Sequence, residues 1–188
     1  RLSEIRDGDG ALIVRYTYDA AGLVLSETKG NGTLTTYEYD MNKRPVAITH
    51  YAADDQVQAR FLYEYDVNGR CTAETSSDGR TTYTYDSLGR LTRVTYEDGS
   101  YEAYTYDALG NRVADTVNGT TTEYVTNNLN QYTSVGGAAY VYDAGGNLTA
   151  DPWNTYEYDA KGRLVSVTTP EHGTWTYTYD AVSYTHLT

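Results

Sequence analysis

The chain has 188 residues and a formal net charge of −12, from 26 Asp and Glu against 14 Lys and Arg. That balance argues against nucleic acid as a partner, since phosphates need a cationic surface. The one cysteine, Cys71, supplies neither a disulfide framework nor a Cys-based metal centre. No stretch approaches the roughly 20 consecutive apolar residues of a membrane-spanning helix.

In chain order, a Tyr-x-Tyr-Asp signature recurs from one end to the other. Its copies end in Tyr18-Asp19, Tyr39-Asp40, Tyr65-Asp66, Tyr85-Asp86, Tyr106-Asp107, Tyr142-Asp143, Tyr158-Asp159 and Tyr179-Asp180, with a degenerate copy at Tyr124-Val125-Thr126-Asn127. The spacing is mostly 20 or 21 residues, stretching to 26 before Asp66 and shrinking to 16 before Asp143 and Asp159. A recurring period of this kind marks a repeat architecture whose units cannot bury their own faces. Aromatics are 13% of the chain, and 22 of them are Tyr against two Trp and one Phe. Tyrosine buries a ring while keeping a hydroxyl for a polar partner, which suits a surface that is apolar below and wet at its rim.

Each unit reads as strand, turn, strand, turn. The two Tyr of a copy stand at i and i+2, on one face of a strand. The Asp then opens Asp-x-x-Gly, where its carboxylate caps the turn and the glycine supplies a positive φ. Gly22, Gly69, Gly89, Gly110, Gly146 and Gly162 fill that column, Asn130 takes it in the degenerate copy, and Lys43 and Ser183 are exceptions. A second strand follows, as in Arg90 to Tyr96. There Leu91 and Val94 are three apart, so alternation fails and a bulge or two-sided burial is implied; Pro45 in a sister strand also suits a bulge or an edge. Asn31-Gly32, Asp78-Gly79, Asp98-Gly99, Asn118-Gly119 and His172-Gly173 close the second turn, with Asn-Gly and Asp-Gly favouring a type I′ hairpin. No helical periodicity persists. An isolated hairpin is marginal in water, so the fold class is all-β: tandem hairpins joined into a long, curled antiparallel sheet. Severed from neighbours, the end strands would present unpaired edges that invite association.

The motif Tyr-x-Tyr-Asp-x-x-Gly-Arg-Leu-x-x-Val, as in Tyr83 to Val94, resembles the YD repeat of the Rhs proteins, over about residues 1–180. The stretch from Asn128 to Val135, then Tyr142 to Leu148, is similar to copies found late in such arrays. The resemblance implies a large secreted or cell-surface bacterial protein, polymorphic-toxin or wall-associated, whose repeats form a shell around a C-terminal toxin; animal teneurins share the repeat. On that reading residues 1–180 are the repeat array, and the partners are the remaining repeats and the C-terminal toxin of a parent chain, with a cell-wall or surface glycan as a further candidate. The chain opens at Arg1 without an initiator Met and is expected to be part of something longer. Residues 181–188 fit no repeat and are expected to be a divergent or foreign tail.

No catalytic, cofactor-binding or metal-binding residue is assigned. The family's aspartate self-cleavage motif is not matched by Asp151-Pro152-Trp153-Asn154. The signature Asp residues could form a calcium ladder, but turn capping explains each of them. Asp7-Gly8-Asp9-Gly10 lacks a later Glu ligand and reads as a hairpin turn. His50, His172 and His186 share no spacing with one another, and Cys71 takes a strand position held elsewhere by Leu. The leading expectation is a non-enzymatic shell segment. Its rivals are a carbohydrate- or wall-binding module, for which two Trp are few, and a fragment known by its parent's toxin activity, such as a nuclease.

Overall fold

The structure, a computed structural model, describes residues 1–179 and, as backbone, 185–187. Asp180 and Ser183 lie outside the described residues, and so does most of the tail. The chain divides into two units, 1–103 and 104–188, with the boundary inside a strand. The first unit holds β1 (Glu4–Arg6), β2 (Leu12–Tyr18), β3 (Val24–Lys29), β4 (Leu34–Tyr39), β5 (Pro45–Tyr51), β6 (Val57–Tyr65), β7 (Cys71–Ser76), β8 (Gly79–Tyr85), β9 (Leu91–Thr95) and the start of β10 (Tyr101–Tyr106). The second holds β11 (Arg112–Val117), β12 (Thr120–Thr126), β13 (Tyr132–Val135), β14 (Ala138–Ala139), β15 (Val141–Tyr142), β16 (Leu148–Ala150), β17 (Thr155–Tyr158), β18 (Leu164–Thr169), β19 (Gly173–Tyr179) and β20 (Thr185–Leu187). Within the first unit each strand pairs antiparallel with the next in sequence, and the second unit repeats that pattern from β11 to β14 and from β15 to β20. No helix occurs among the described residues. The all-β hairpin array read from the repeat is what the chain forms.

The Asp-x-x-Gly turns share one geometry. At Asp86 the amide donates to the Arg90 carbonyl at 2.9 Å, the Gly89 amide donates to the Asp86 carbonyl at 3.0 Å, and Gly89 sits at φ 83°. Asp86 Oδ1 accepts the amides of Leu88 and Arg90, each at 2.9 Å. Asn130 and Lys43 occupy the same left-handed position at φ 59° and 65°. Asp7 to Ala11 folds the same way, with Asp7 Oδ1 accepting the amides of Asp9 and Ala11. Asp-Gly-Asp-Gly is thus a turn of the array, in a copy that has lost its tyrosines.

The second turns differ from the expectation of type I′. Of the five pairs read from the sequence, only Asn118-Gly119 has both residues at positive φ, 49° and 89°; Gly136-Gly137, between β13 and β14, does so as well. At Asp98-Gly99 and Asn31-Gly32 only the glycine does, because the loop is a residue longer: Tyr96 NH donates to the Ser100 carbonyl and Gly99 NH to that of Tyr96. A tight turn ending on one left-handed residue closes this loop and needs a glycine only at its last position. Asp78-Gly79 and His172-Gly173 likewise carry positive φ on Gly alone.

The failed alternation of Leu91 and Val94 is a bulge. Tyr85 pairs with Leu91 but Thr84 pairs with Arg93, leaving Thr92 unopposed. The same shift recurs at Tyr18/Val24, Tyr39/Pro45, Tyr65/Cys71 and Tyr158/Leu164. The extra residue returns both apolar side chains to the face that carries the tyrosines, and Pro45 sits at such a bulge.

One face of the first unit therefore carries Tyr16, Tyr18, Tyr37, Tyr39, Tyr63, Tyr65, Tyr83 and Tyr85 with Ile48 and Val94. The other carries Thr, Ser, Glu and Arg with Ile13, Ala47, Leu62 and Ala73 among them, tied by cross-strand bonds such as Thr17–Ser26 at 2.6 Å and Arg80–Glu64 at 2.5 Å. Among the described residues only Val14, Ala47, Ala73, Val94, Thr49 and Ser166 are buried, and no large side chain is fully enclosed. Within each unit the strands of a sheet pair with their sequence neighbours, and the described residues form a single layer without a closed core.

These turns make a conformational prediction. Gly99 has open space where a Cβ would go, so Gly99→Ala tests backbone strain alone and should cost about 1 kcal/mol. Lys43→Gly should recover up to about 1 kcal/mol, since Lys43 holds a left-handed φ that Gly adopts freely. Thermal midpoints of the two variants should move in opposite directions; shifts of the same sign would contradict the assignment.

Candidate functional site: the tyrosine face and its clasps

The second tyrosine of several signatures and the arginine four residues after the preceding signature Asp form a recurring contact between neighbouring repeats. Tyr65 OH donates to the Pro45 carbonyl at 2.7 Å, Tyr85 OH to that of Cys71 at 2.7 Å, and Tyr179 OH to that of Leu164 at 2.7 Å. Tyr39 OH reaches the Val24 carbonyl at 2.8 Å. Over the same rings lie the arginines of the preceding repeats: Arg44 is 4.6 Å from the Tyr65 centroid, Arg70 is 4.9 Å from Tyr85 and Arg163 is 4.5 Å from Tyr179. Each guanidinium is fixed from behind by its own turn aspartate, as in Arg70 Nε to Asp66 Oδ2 at 2.6 Å, and Arg70 Nη1 also reaches forward to the next turn, donating to the Asp86 carbonyl at 3.2 Å. Arg44 does the same from Asp40, at 2.7 Å, to the Asp66 carbonyl, at 3.1 Å.

Sequence reasoning named the Tyr, Asp and Gly columns and gave the arginine no role. The signal was available in Arg44, Arg70, Arg90 and Arg163, each four residues after the signature Asp. At three positions where arginine is missing an amide substitutes, while Leu23 stands there in the first copy: Asn111 and Asn147 donate to Asp107 and Asp143, each at 2.9 Å, and Gln131 Nε2 reaches the Gly146 carbonyl at 2.9 Å.

The turn carboxylates are thus occupied by their own turns, and no group of three or more His, Cys, Asp or Glu placed to hold a metal occurs among the described residues. Backbone and side-chain donors of Arg44, Arg70, Arg90 and Arg163 hold Asp40, Asp66, Asp86 and Asp159 below the usual carboxylate range. Asp107 and Asp143 are lowered chiefly by the Asn111 and Asn147 side chains. On the tyrosine face the shifts are upward. Burial leads at Tyr37, Tyr63 and Tyr83, followed by Glu27 beside Tyr37 and Glu74 beside the other two.

An open concavity of about 430 Å³ lies on this face, bounded by Ile48, Tyr63, Tyr65, Cys71, Glu74 and Tyr83 with Pro45 and Tyr85. Burial raises the Cys71 thiol, and its Sγ donates to the Ala73 carbonyl at 3.3 Å. Asp151-Pro152 forms a tight turn in which Asp151 caps Trp153 and Asn154 and accepts the Tyr156 hydroxyl at 2.7 Å.

Two predictions follow from these contacts. Tyr85→Phe removes one hydrogen bond and should cost about 1 kcal/mol. Arg70→Ala should cost more, and Arg70→Lys should recover little, because an ammonium cannot span both turns; equal midpoints for Tyr85→Phe and Arg70→Ala would contradict the clasp. The pH dependence has two limbs. Carboxylates depressed in the fold stabilise it above their unfolded value of about 3.9, and that contribution is lost as pH falls through the lower folded value. Phenols raised in the fold stabilise it below about 10, and that contribution is lost as pH rises through the higher folded value. Calorimetry should show a level midpoint between about pH 5 and 9 that falls on both sides.

Comparison with known proteins agrees with this geometry. The RHS Repeat model matches residues 1–34 and 18–56, and the Teneurin YD-shell model matches residues 51–185. The tRNA nuclease WapA of Bacillus subtilis is 40% identical over 78 residues, 39% of this chain and 3% of that protein. The probable deoxyribonuclease RhsA of Dickeya dadantii is 32% identical over 82 residues, 44% of this chain and 5% of that protein. Among solved structures, a chain of the Photorhabdus luminescens Tc holotoxin pore superimposes with a TM-score of 0.73 at 22% identity, covering 91% of this chain and 11% of that one. The TcdB2-TccC3-TEV crystal structure gives 0.70 at 23% identity, again over 91% of this chain and 11% of the other. The chain spans a small fraction of each of these proteins. With a shell model matched over most of its length and the repeat model over the remainder, it belongs to the RHS/YD-repeat family.

Proposed function

We propose that this chain is a stretch of wall in the YD-repeat shell of a larger, secreted or cell-surface bacterial Rhs-type protein, with its tyrosine face turned toward an enclosed C-terminal effector. The observation that carries the reading is the single-layer sheet. Its tyrosine face is half-buried without being covered, and no large side chain is fully enclosed among the described residues. A surface of that kind is completed by something outside the segment. The mechanism is containment: backbone ladders make the wall, and the arginine–tyrosine clasps hold one repeat to the next. The segment is non-enzymatic on this reading. The nuclease activities named for WapA and RhsA belong to proteins of which it matches 3% and 5%.

A carbohydrate-binding reading has one feature in its favour. Trp153 is 65% exposed, beside a concavity of about 320 Å³ shared with Pro152, Pro170 and His172.

Tyrosine nitration mapped by mass spectrometry separates the two. On the shell reading Tyr63 and Tyr83 react in this chain and are protected in a longer protein that carries the repeats. Equal nitration in both, together with saturable wall-glycan binding abolished by Trp153→Ala, would transfer the function to glycan recognition.

A further inference from the structure

The tyrosine face carries a second period that the signature does not show. Eleven residues after the first tyrosine of the first eight copies stand, in order, Glu27, Ile48, Glu74, Val94, Asp115, Val135, Asp151 and Val167, while the ninth copy has Thr188 there. Acid and aliphatic alternate through those eight copies. Cross-strand pairing places these residues beside the tyrosines: Glu27 faces Tyr16, Ile48 faces Tyr37, Glu74 faces Tyr63, Val94 faces Tyr83 and Val167 faces Tyr156. The chemical unit of this face is therefore a pair of repeats, with a carboxylate set among tyrosine rings in every second one.

One of these acidic positions, Asp115, shows what the surroundings accept. Asp115 takes the Tyr124 hydroxyl at 2.5 Å, and the guanidinium of Arg112 lies 4.7 Å from the Tyr104 centroid and 5.9 Å from that of Tyr124. There a cation from the chain itself lies over two tyrosine rings, one of which bonds the acid. Aligned on the signature, Glu74 stands where Asp115 does, Tyr63 and Tyr83 where Tyr104 and Tyr124 do, and Cys71 where Arg112 does. The short Cys71 side chain leaves open the space that arginine fills in the sister repeat, and this is the concavity of about 430 Å³. Glu74 is half-buried and finds no hydrogen-bond or ion-pair partner among the described residues.

From this we infer that the cradle of Glu74, Tyr63 and Tyr83 binds a cationic side chain, a guanidinium or alkylammonium, from a basic polypeptide segment docked on the tyrosine face. The aromatic rings offer their negative faces and the carboxylate a counter-charge, the usual recognition chemistry of organic cations. The net charge of −12 favours the approach of such a segment. The inference rests on the shell reading, in which this face meets another polypeptide.

The test uses a labelled heptapeptide, Gly-Ser-Gly-Arg-Gly-Ser-Gly, and its counterpart with neutral citrulline in place of arginine, titrated into the chain by fluorescence anisotropy. The arginine peptide should bind in a salt-sensitive way and the citrulline peptide should not. Glu74→Gln should weaken binding by about tenfold, whereas Glu171→Gln, which removes an equal charge from a side chain 86% exposed, should leave it unchanged. Cys71→Arg should supply the missing cation internally, abolish peptide binding and raise the thermal midpoint. The inference is overturned if neither peptide binds, if citrulline matches arginine, if Glu171→Gln acts like Glu74→Gln, or if a folded Cys71→Arg variant binds the peptide normally. Should Cys71→Arg fail to fold, the comparison of Glu74→Gln with Glu171→Gln decides. Failure here with the nitration pattern intact would leave the shell and remove only the cradle.

Discussion

The structure depends on the contact that each repeat makes with the next across a turn boundary. A single sheet layer has no interior to hold it together, and a lone hairpin is marginal in water. What replaces a core is a tyrosine ring sandwiched between its own strand and the arginine of the neighbouring repeat, its hydroxyl bonded to that neighbour's backbone. The arginine is preorganised by the turn aspartate, so the Asp-x-x-Gly-Arg string does two jobs. It closes one hairpin and aims a guanidinium at the next.

This explains why the chain uses tyrosine where a globular domain would use leucine or phenylalanine. A ring that is half-buried and half-wet needs a polar end, and the phenol reaches a strand-end carbonyl that the bulge leaves near the sheet margin. The bulge is part of the same device, because it brings the first residue of the second strand and the aliphatic or acidic residue three places later onto one face. Polar residues on the opposite face keep that surface solvated and tied by cross-strand pairs.

Much of this was legible in the sequence. The period, the strand–turn–strand order and the left-handed glycine column with Asn130 follow from local rules, and the spacing of Leu91 and Val94 left a bulge or two-sided burial, of which the pairing shows the bulge. Two features were not. The type I′ turn expected at Asp98-Gly99 and Asn31-Gly32 failed because Asx-Gly fits two loop lengths, and pairing across the hairpin, which a dipeptide does not encode, selects between them. The role of Arg44, Arg70 and Arg163 is a contact between repeats, so inspection of one copy at a time could not reveal it. The alternation of acid and aliphatic residues was hidden for the same reason: it has twice the period of the signature.

A double-mutant cycle on Arg70 and Tyr85 tests the inter-repeat clasp most directly. The two side chains belong to successive repeats, so coupling between them reads the clasp as a whole, the ring contact together with the bonds to the Cys71 and Asp86 carbonyls. We expect a coupling energy of about 0.5–1 kcal/mol, the range for a partly exposed cation–π pair. Additive effects of the two substitutions, with coupling indistinguishable from zero, would show that the repeats are held together by something else.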